Sequence, residues 1–128
     1  MAADPLLVDT DIFIDYLKGI EPARIVLDSP RFDIYYSAWT RKELLGKPGL
    51  RDSERIEIGK LLARFRLLPV DDEIADRYWA LLQKYKSQGL RQADAIIAAT
   101  ACQRNIPLLT RNQRHFRFIA EIILAPVY

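Results

Sequence analysis

Three acidic residues stand where an α/β chain can put them to chemical use. Asp9 directly follows the apolar run Leu6-Leu7-Val8, Glu43 lies in the amphipathic stretch after residues 33–36, and Asp94 opens an alanine-rich run. Thr110-Arg111-Asn112 follows a further apolar run over 106–109. If the apolar runs are parallel strands, these segments deliver oxygen ligands to the carboxyl edge of one sheet, where open α/β sheets bind ligands. Carboxylates gathered there repel one another, and a hard divalent cation is the simplest way to keep them ionised; magnesium takes oxygen ligands while retaining waters. Such an ion lowers the pKa of a bound water to make a nucleophile, and stabilises charge on a phosphoryl oxygen and its leaving group.

Taken singly, each residue also has a structural role. Asp9 and Asp11 flank Thr10 at a helix start, where an aspartate serves as N-cap, and for Asp11 that role is the expectation. Glu43 follows Thr40 at the spacing of a capping box. Asp94 suits the helix macrodipole, and Asn112 suits a turn. Their joint arrival at one edge is what favours chemistry. His115 is the single histidine, which excludes histidine-rich metal sites and two-histidine acid–base mechanisms, and it is expected as an isolated surface or half-buried side chain. Neither Ser37 nor Ser87 lies in a nucleophile-elbow sequence, so a Ser-His-acid triad is set aside. Cys102, the single cysteine, excludes an intrachain disulfide and a cysteine zinc cage, and is expected as a small buried hydrophobe. Trp39 and Trp79 fall in helical or strand patterns and are expected in the core.

Short apolar runs alternate with longer amphipathic ones, the pattern of strands and helices about a parallel sheet. Leu6-Leu7-Val8 reads as a buried strand ending at Asp9, and 12–18 as a short helix closed near Gly19 and Pro22. Residues 33–36 form a second strand, and 37–45 turn helical. Gly46, Pro48 and Gly49 then precede a helix over 52–65, where Ile56, Leu61, Leu62 and Phe65 share a face. Leu67, Leu68 and Val70, interrupted by Pro69, read as a short edge strand. Asp72 caps a helix running to Lys86, with Ile74, Tyr78, Leu81, Leu82 and Tyr85 at helical spacing. In the next helix, over 92–103, the small Ala98, Ala99 and Ala101 permit a close approach to a neighbour. A turn at Arg104-Asn105 leads to a strand over 106–110, and 122–124 is the last strand before Pro126. The expected fold is one domain over 1–128: a three-layer α/β/α sandwich, with helices on both faces of a mostly parallel sheet and right-handed crossovers.

A chain of 128 residues, 50% hydrophobic and 28% charged, has globular composition without the charge excess of a disordered one. The net charge of +2 is too small to mark a nucleic-acid binder, so the placement of positive residues matters more. No acid occurs between Asp94 and Glu121, whereas Arg104, Arg111, Arg114, His115 and Arg117 do; a second basic run holds Arg41, Lys42, Lys47 and Arg51. Each run is either a solvated face or a polyanion contact. The first residues lack a basic stretch followed by an apolar one, and no apolar run approaches the ~18 residues of a membrane span, so a soluble, cytoplasmic protein without a membrane partner is expected.

In combination, four segments resemble the PIN-domain family, and within it the VapC-like toxins of prokaryotic toxin–antitoxin pairs. They are Leu7-Val8-Asp9-Thr10-Asp11 running on to Ile14-Asp15-Tyr16-Leu17; Ser37 through Thr40 to Glu43-Leu44; Ala93-Asp94-Ala95-Ile96-Ile97-Ala98-Ala99-Thr100-Ala101; and Leu109-Thr110-Arg111-Asn112 to His115-Phe116. The match spans nearly the whole chain in order, and the Asp94 segment is its most specific piece. The resemblance implies a magnesium- or manganese-dependent endoribonuclease that cleaves RNA, is held inactive by a small cognate antitoxin and often forms a homodimer. Carried over residue by residue, Asp9, Glu43 and Asp94 are the acidic metal site, with Thr110 and Asn112 at the fourth motif. Many family members have an acid where this chain has Asn112. Asparagine can coordinate through its carbonyl or orient a water, but it brings no charge, which favours a single ion or a second recruited with the substrate phosphate.

In the implied mechanism Asp9 and Asp94 hold the cation, Glu43 coordinates or orients the attacking water, and Asn112 with Thr110 completes the shell. Arg111, Arg114, Lys42 and Arg91 meet RNA phosphates, which confers affinity and salt dependence without sequence choice. Two other readings stay open. One is a haloacid-dehalogenase-like phosphatase with Asp9 as covalent nucleophile, although Phe13 stands where that family expects threonine or valine. The other is a catalytically inactive PIN-like binding module, suggested by the fourth motif without its acid. The helix beginning at Asp72 is a candidate dimer surface and equally a core one.

Overall fold

In the computed structural model, which describes residues 2–128, the first strand, β1 (Asp4–Val8), already shows how the layers arise. Leu6 and Val8 enter one apolar cluster and Leu7 the other, as the two-residue period of a strand requires. The chain continues through α1 (Thr10–Leu17), α2 (Glu21–Asp28), β2 (Phe32–Ser37), α3 (Ala38–Leu45), α4 (Asp52–Leu62), β3 (Arg66–Leu68), α5 (Asp72–Lys84), α6 (Gln92–Arg104), β4 (Leu108–Leu109) and α7 (Gln113–Phe116). The strands form one sheet in the order β3-β2-β1-β4, and every pair is parallel. One face buries Ile12, Phe13, Leu27, Ile58, Leu61 and Leu62 from α1, α2 and α4. The other buries Ile74 and Leu81 of α5, Ile97, Ala98, Ala99 and Ala101 of α6, and Phe116 of α7. The result is the expected three-layer α/β/α sandwich.

Several local expectations are corrected. Pro22 does not close a helix but lies in the first turn of α2, where a missing N–H costs nothing because that donor has no intrahelical partner. The last strand shrinks to one parallel bridge, Leu108 to Leu124, flanked by Leu108 N–H to Ile123 O and Ala125 N–H to Leu108 O. With β4 only two residues long and Pro126 lacking a donor, the ladder has nothing to extend along. In α4 the buried set is Ile58, Leu61 and Leu62 at helical spacing, which turns Ile56 outward to 59% exposure. Asp71, not Asp72, caps α5 by accepting from Ile74 N–H at 2.9 Å. Trp79 is exposed and Trp39 and Cys102 are half-buried, so none is a core side chain.

Candidate metal centre

From β1 the chain crosses to β2 on one side, while β4 joins on the other, so the sheet's switch point lies at the carboxyl ends of β1 and β4, where a crevice forms. Asp9 and Thr110 stand there. Asp9 is the N-cap of α1: its Oδ1 accepts from Thr10 N–H at 2.8 Å, and its Oδ2 accepts from the Thr110 hydroxyl at 2.9 Å. Asp11 is therefore not the cap. It sits in the first turn, where its Oδ2 accepts from Arg111 N–H at 2.9 Å, while its Oδ1 is buried with no hydrogen-bond partner. The expectation that Asp11 is the cap is thus overturned, because both residues lie within reach of the same helix end and Asp9 takes it.

Glu43 comes from α3, whose cap is Ser37 and not Thr40. Instead of closing a capping box, Glu43 Oε1 accepts from the Thr10 hydroxyl at 2.7 Å, and Thr10 in turn stands 3.0 Å from the Thr40 hydroxyl. Asp94, in the first turn of α6, has its Oδ2 3.3 Å from His115 Nδ1. His115 is thus no isolated histidine; it reaches back from α7 onto the acid opposite, a pairing across helices that no local spacing announces. Asn112 makes no side-chain capping bond and faces the same cleft as Asp9, Asp11, Glu43 and Asp94, a space of about 190 Å³.

The charges in this cleft are held against their preference. Burial, then the neighbouring Asp11 charge, pushes Asp9 from 3.8 to about 7, with Asp94 adding to the rise and hydrogen bonds from Thr110 and Thr10 opposing it. Burial also raises Asp11, opposed by the main chain and charge of Arg111, with Asp15 adding. Asp94 is raised by burial, against the pull of His115 and Arg91, with Glu43 and Asp11 adding. Among the described residues, no three acidic, histidine or cysteine side chains are drawn together into a finished metal cage. Glu43 and Asp94 are each turned to a protein partner, Thr10 and His115. The donor set nonetheless fits a hard divalent ion: all oxygen, several carboxylates raised by burial and mutual repulsion, and one buried carboxylate oxygen, Asp11 Oδ1, left without a hydrogen.

Of the four basic residues singled out, Arg91, Arg114 and Lys42 are exposed, with Lys42 Nζ 5.1 Å from the centre of the Trp39 ring. Arg111 is exposed as well, but its guanidinium is paired with Asp15.

The model of a family described as "PIN domain" matches residues 6–121. This chain belongs to the PIN-domain family. As a PIN domain it is 36% identical over 121 residues to Ribonuclease VapC10 of Mycobacterium tuberculosis, a match covering 91% of this chain and 90% of that protein. Among solved structures, VapBC2 from Rickettsia felis bound to a promoter DNA fragment superimposes with a TM-score of 0.83 at 20% identity, over 97% of this chain and 99% of that one. A toxin–antitoxin complex from Klebsiella pneumoniae gives 0.75 at 30% identity, over 99% of this chain and 100% of that one. A PIN domain spanning nearly the whole sequence leaves no place for the haloacid-dehalogenase-like phosphatase reading, and with it goes Asp9 as a covalent nucleophile. No helix among the described residues is long and apolar enough to cross a membrane.

Proposed function

We propose that this PIN domain is the endoribonuclease toxin of a toxin–antitoxin pair, acting in the cytoplasm on RNA phosphodiesters with magnesium or manganese in the acidic cleft. The observation that carries this reading is the convergence of Asp9, Asp11, Glu43 and Asp94 from three elements on one crevice at the sheet's switch point. Its relative VapC10 is named a ribonuclease, which favours the active enzyme over an inactive binding module. When bound, a divalent cation supplies positive charge for a phosphoryl oxygen and acidifies the attacking water.

The chain's own residues do the rest. Asp9 and Asp94 would hold the ion, and Asp11, whose buried Oδ1 has no hydrogen-bond partner, would supply a negative charge where Asn112 supplies none. Glu43, the most exposed of the acids, receives the water proton when it turns from Thr10. Asn112 and Thr110 complete the shell by orienting water and Asp9. Arg91, Arg114 and Lys42 meet RNA phosphates around the rim.

The antitoxin reading is supported by the K. pneumoniae complex and by a groove of about 740 Å³ that runs from the cleft between α1 and α4. Ile14, Leu17, Leu44, Leu50 and Ile58 line it, and Thr10 and Glu43 belong to both spaces. A helical or extended antitoxin segment seated there would reach the acids. A homodimer is proposed to use the face of α5 that leaves Trp79 63% exposed. The deciding experiment is cleavage of a defined RNA by purified protein with and without Mg2+ or Mn2+. Wild-type cleavage that stops with chelator and with Asp9→Asn is expected, and undiminished cleavage by Asp9→Asn would refute the assignment.

A further inference from the structure

Asp15 is the buried acid for which the metal site has no use. It lies one turn beyond Asp11 on α1, is 5% exposed, and all its side-chain partners come from the far end of the chain. Arg111 meets it with two nitrogens: Nε lies 2.8 Å from Oδ2, and Nη2 donates to Oδ1 at 3.2 Å. The Tyr128 hydroxyl donates to Oδ2 at 2.7 Å. Meanwhile the main-chain N–H of Arg111 donates to Asp11 Oδ2. Arg111 therefore straddles α1, main chain on one acid and guanidinium on the next. Unpaired, the two carboxylates would repel one another at this spacing, and Asp15 would be charged without compensation at a depth where that is costly. The residues on either side of Arg111 are Thr110, which donates to Asp9, and Asn112, which faces the cleft.

We infer that Asp15, Arg111 and Tyr128 form a positioning unit that sets the 110–112 segment against Asp9 and Asp11, so that Arg111 serves the cleft through Asp15 and not as a contact to the RNA backbone. The inference rests on the proposed reading of the cleft as a metal-dependent nuclease site. A two-point guanidinium–carboxylate pair fixes an angle as well as a distance, which an ammonium cannot do. Tyr128 adds a second donor on the shared oxygen and closes the pair from outside. Small displacements of supporting groups are enough to cost rate, so the unit is expected to act on turnover and on metal binding more than on RNA affinity.

The test uses the full chain and the variants Arg111→Lys, Arg111→Ala, Asp15→Asn and Tyr128→Phe. Mn2+ binding is read by electron paramagnetic resonance, and kcat and KM for RNA are measured over a series of salt concentrations. Arg111→Lys is expected to fail as badly as Arg111→Ala, each losing about tenfold or more in kcat and several-fold in Mn2+ affinity, with KM and the salt slope unchanged. Asp15→Asn combined with Arg111→Ala is expected to be no worse than either alone, because the two act together. Tyr128→Phe keeps the exposed ring and the fold, and is expected to show a milder loss of the same pattern. Near-normal Arg111→Lys would overturn the inference, as would an Arg111→Ala variant that raises KM and flattens the salt dependence while keeping kcat, the behaviour of a phosphate contact. Should the Arg111 variants fail to fold, unchanged kcat and Mn2+ binding in Tyr128→Phe would overturn it alone. A wild-type chain that neither binds Mn2+ nor cleaves RNA would instead remove the nuclease reading beneath it.

Discussion

The Thr110 hydroxyl donates to Asp9 Oδ2 at 2.9 Å across 101 residues of chain, so the first and last segments of the site meet through a neutral donor. The hydroxyl oxygen of Thr110 in turn accepts the Asn112 N–H at 3.1 Å. Thr110 is fully buried, and Thr110→Val keeps the shape while leaving Asp9 and the Asn112 N–H without this partner. A loss of about 1–3 kcal/mol in stability is expected, read by denaturant unfolding. RNA cleavage should fall with it, and Thr110→Ser should restore most of both.

Asp9 couples stability to pH in the direction opposite to a salt-bridged carboxylate. Its folded value of about 7 lies above the ordinary 3.8, so between those values the folded chain holds a proton that the unfolded chain has released. This contribution is fully present below 3.8 and is lost as pH rises through about 7. The metal-free protein should therefore be less stable at pH 8 than at pH 5. Asp9→Asn should remove part of that slope and stabilise the metal-free chain at pH 8, by as much as on the order of 3–4 kcal/mol. Thermal unfolding in chelator at the two pH values measures it; a slope unchanged by the substitution would contradict the assignment.

Protons and cations compete for the same oxygens, so Mn2+ affinity should rise as pH increases from 6 to 8, with proton release on binding. Isothermal titration in buffers of different ionisation enthalpy reads both quantities. An affinity independent of pH would mean that the raised acids do not hold the ion.

His115 Nδ1 stands 3.3 Å from Asp94 Oδ2, where it limits which way the acid turns. His115→Phe keeps an aromatic ring, though a larger one, and removes the nitrogen that faces Asp94. Loss of a partner that orients a metal ligand typically costs about 10–100-fold in metal affinity or activity, and a loss in that range is expected here. His115→Gln, which retains a donor, should recover part of it.

Leu50 lines the groove without taking part in the acid cleft. Leu50→Arg should weaken the complex with the cognate antitoxin, read by co-purification and by loss of inhibition, while RNA cleavage by the free toxin stays near wild type. Normal inhibition of Leu50→Arg would place the antitoxin elsewhere.

The sequence alone determined the alternation of strand and helix, the parallel sheet, and the arrival of Asp9, Glu43, Asp94 and Asn112 at one edge. These features follow from apolar periods and from what comes directly after an apolar run, both local properties of the chain. Tertiary structure decided the division of labour among them. Asp11 reads as the cap and Asp9 as the site acid until the fold gives the cap to Asp9 and ties both acids to Thr110 and Arg111 from about 100 residues away, and Glu43 fits a capping box until Thr10 offers a hydroxyl from another helix. His115 is solitary in sequence and paired in space. Asp15 carries no signal in its own stretch of sequence, because its partners Arg111 and Tyr128 lie 96 and 113 residues away. Pro22 is ambiguous for the converse reason: a proline ends one helix and opens another by the same missing N–H, and only the position of the turn says which. Hydrogen bonds within one turn leave a signature in spacing; those that close a site across the sheet do not, because packing alone brings their partners together.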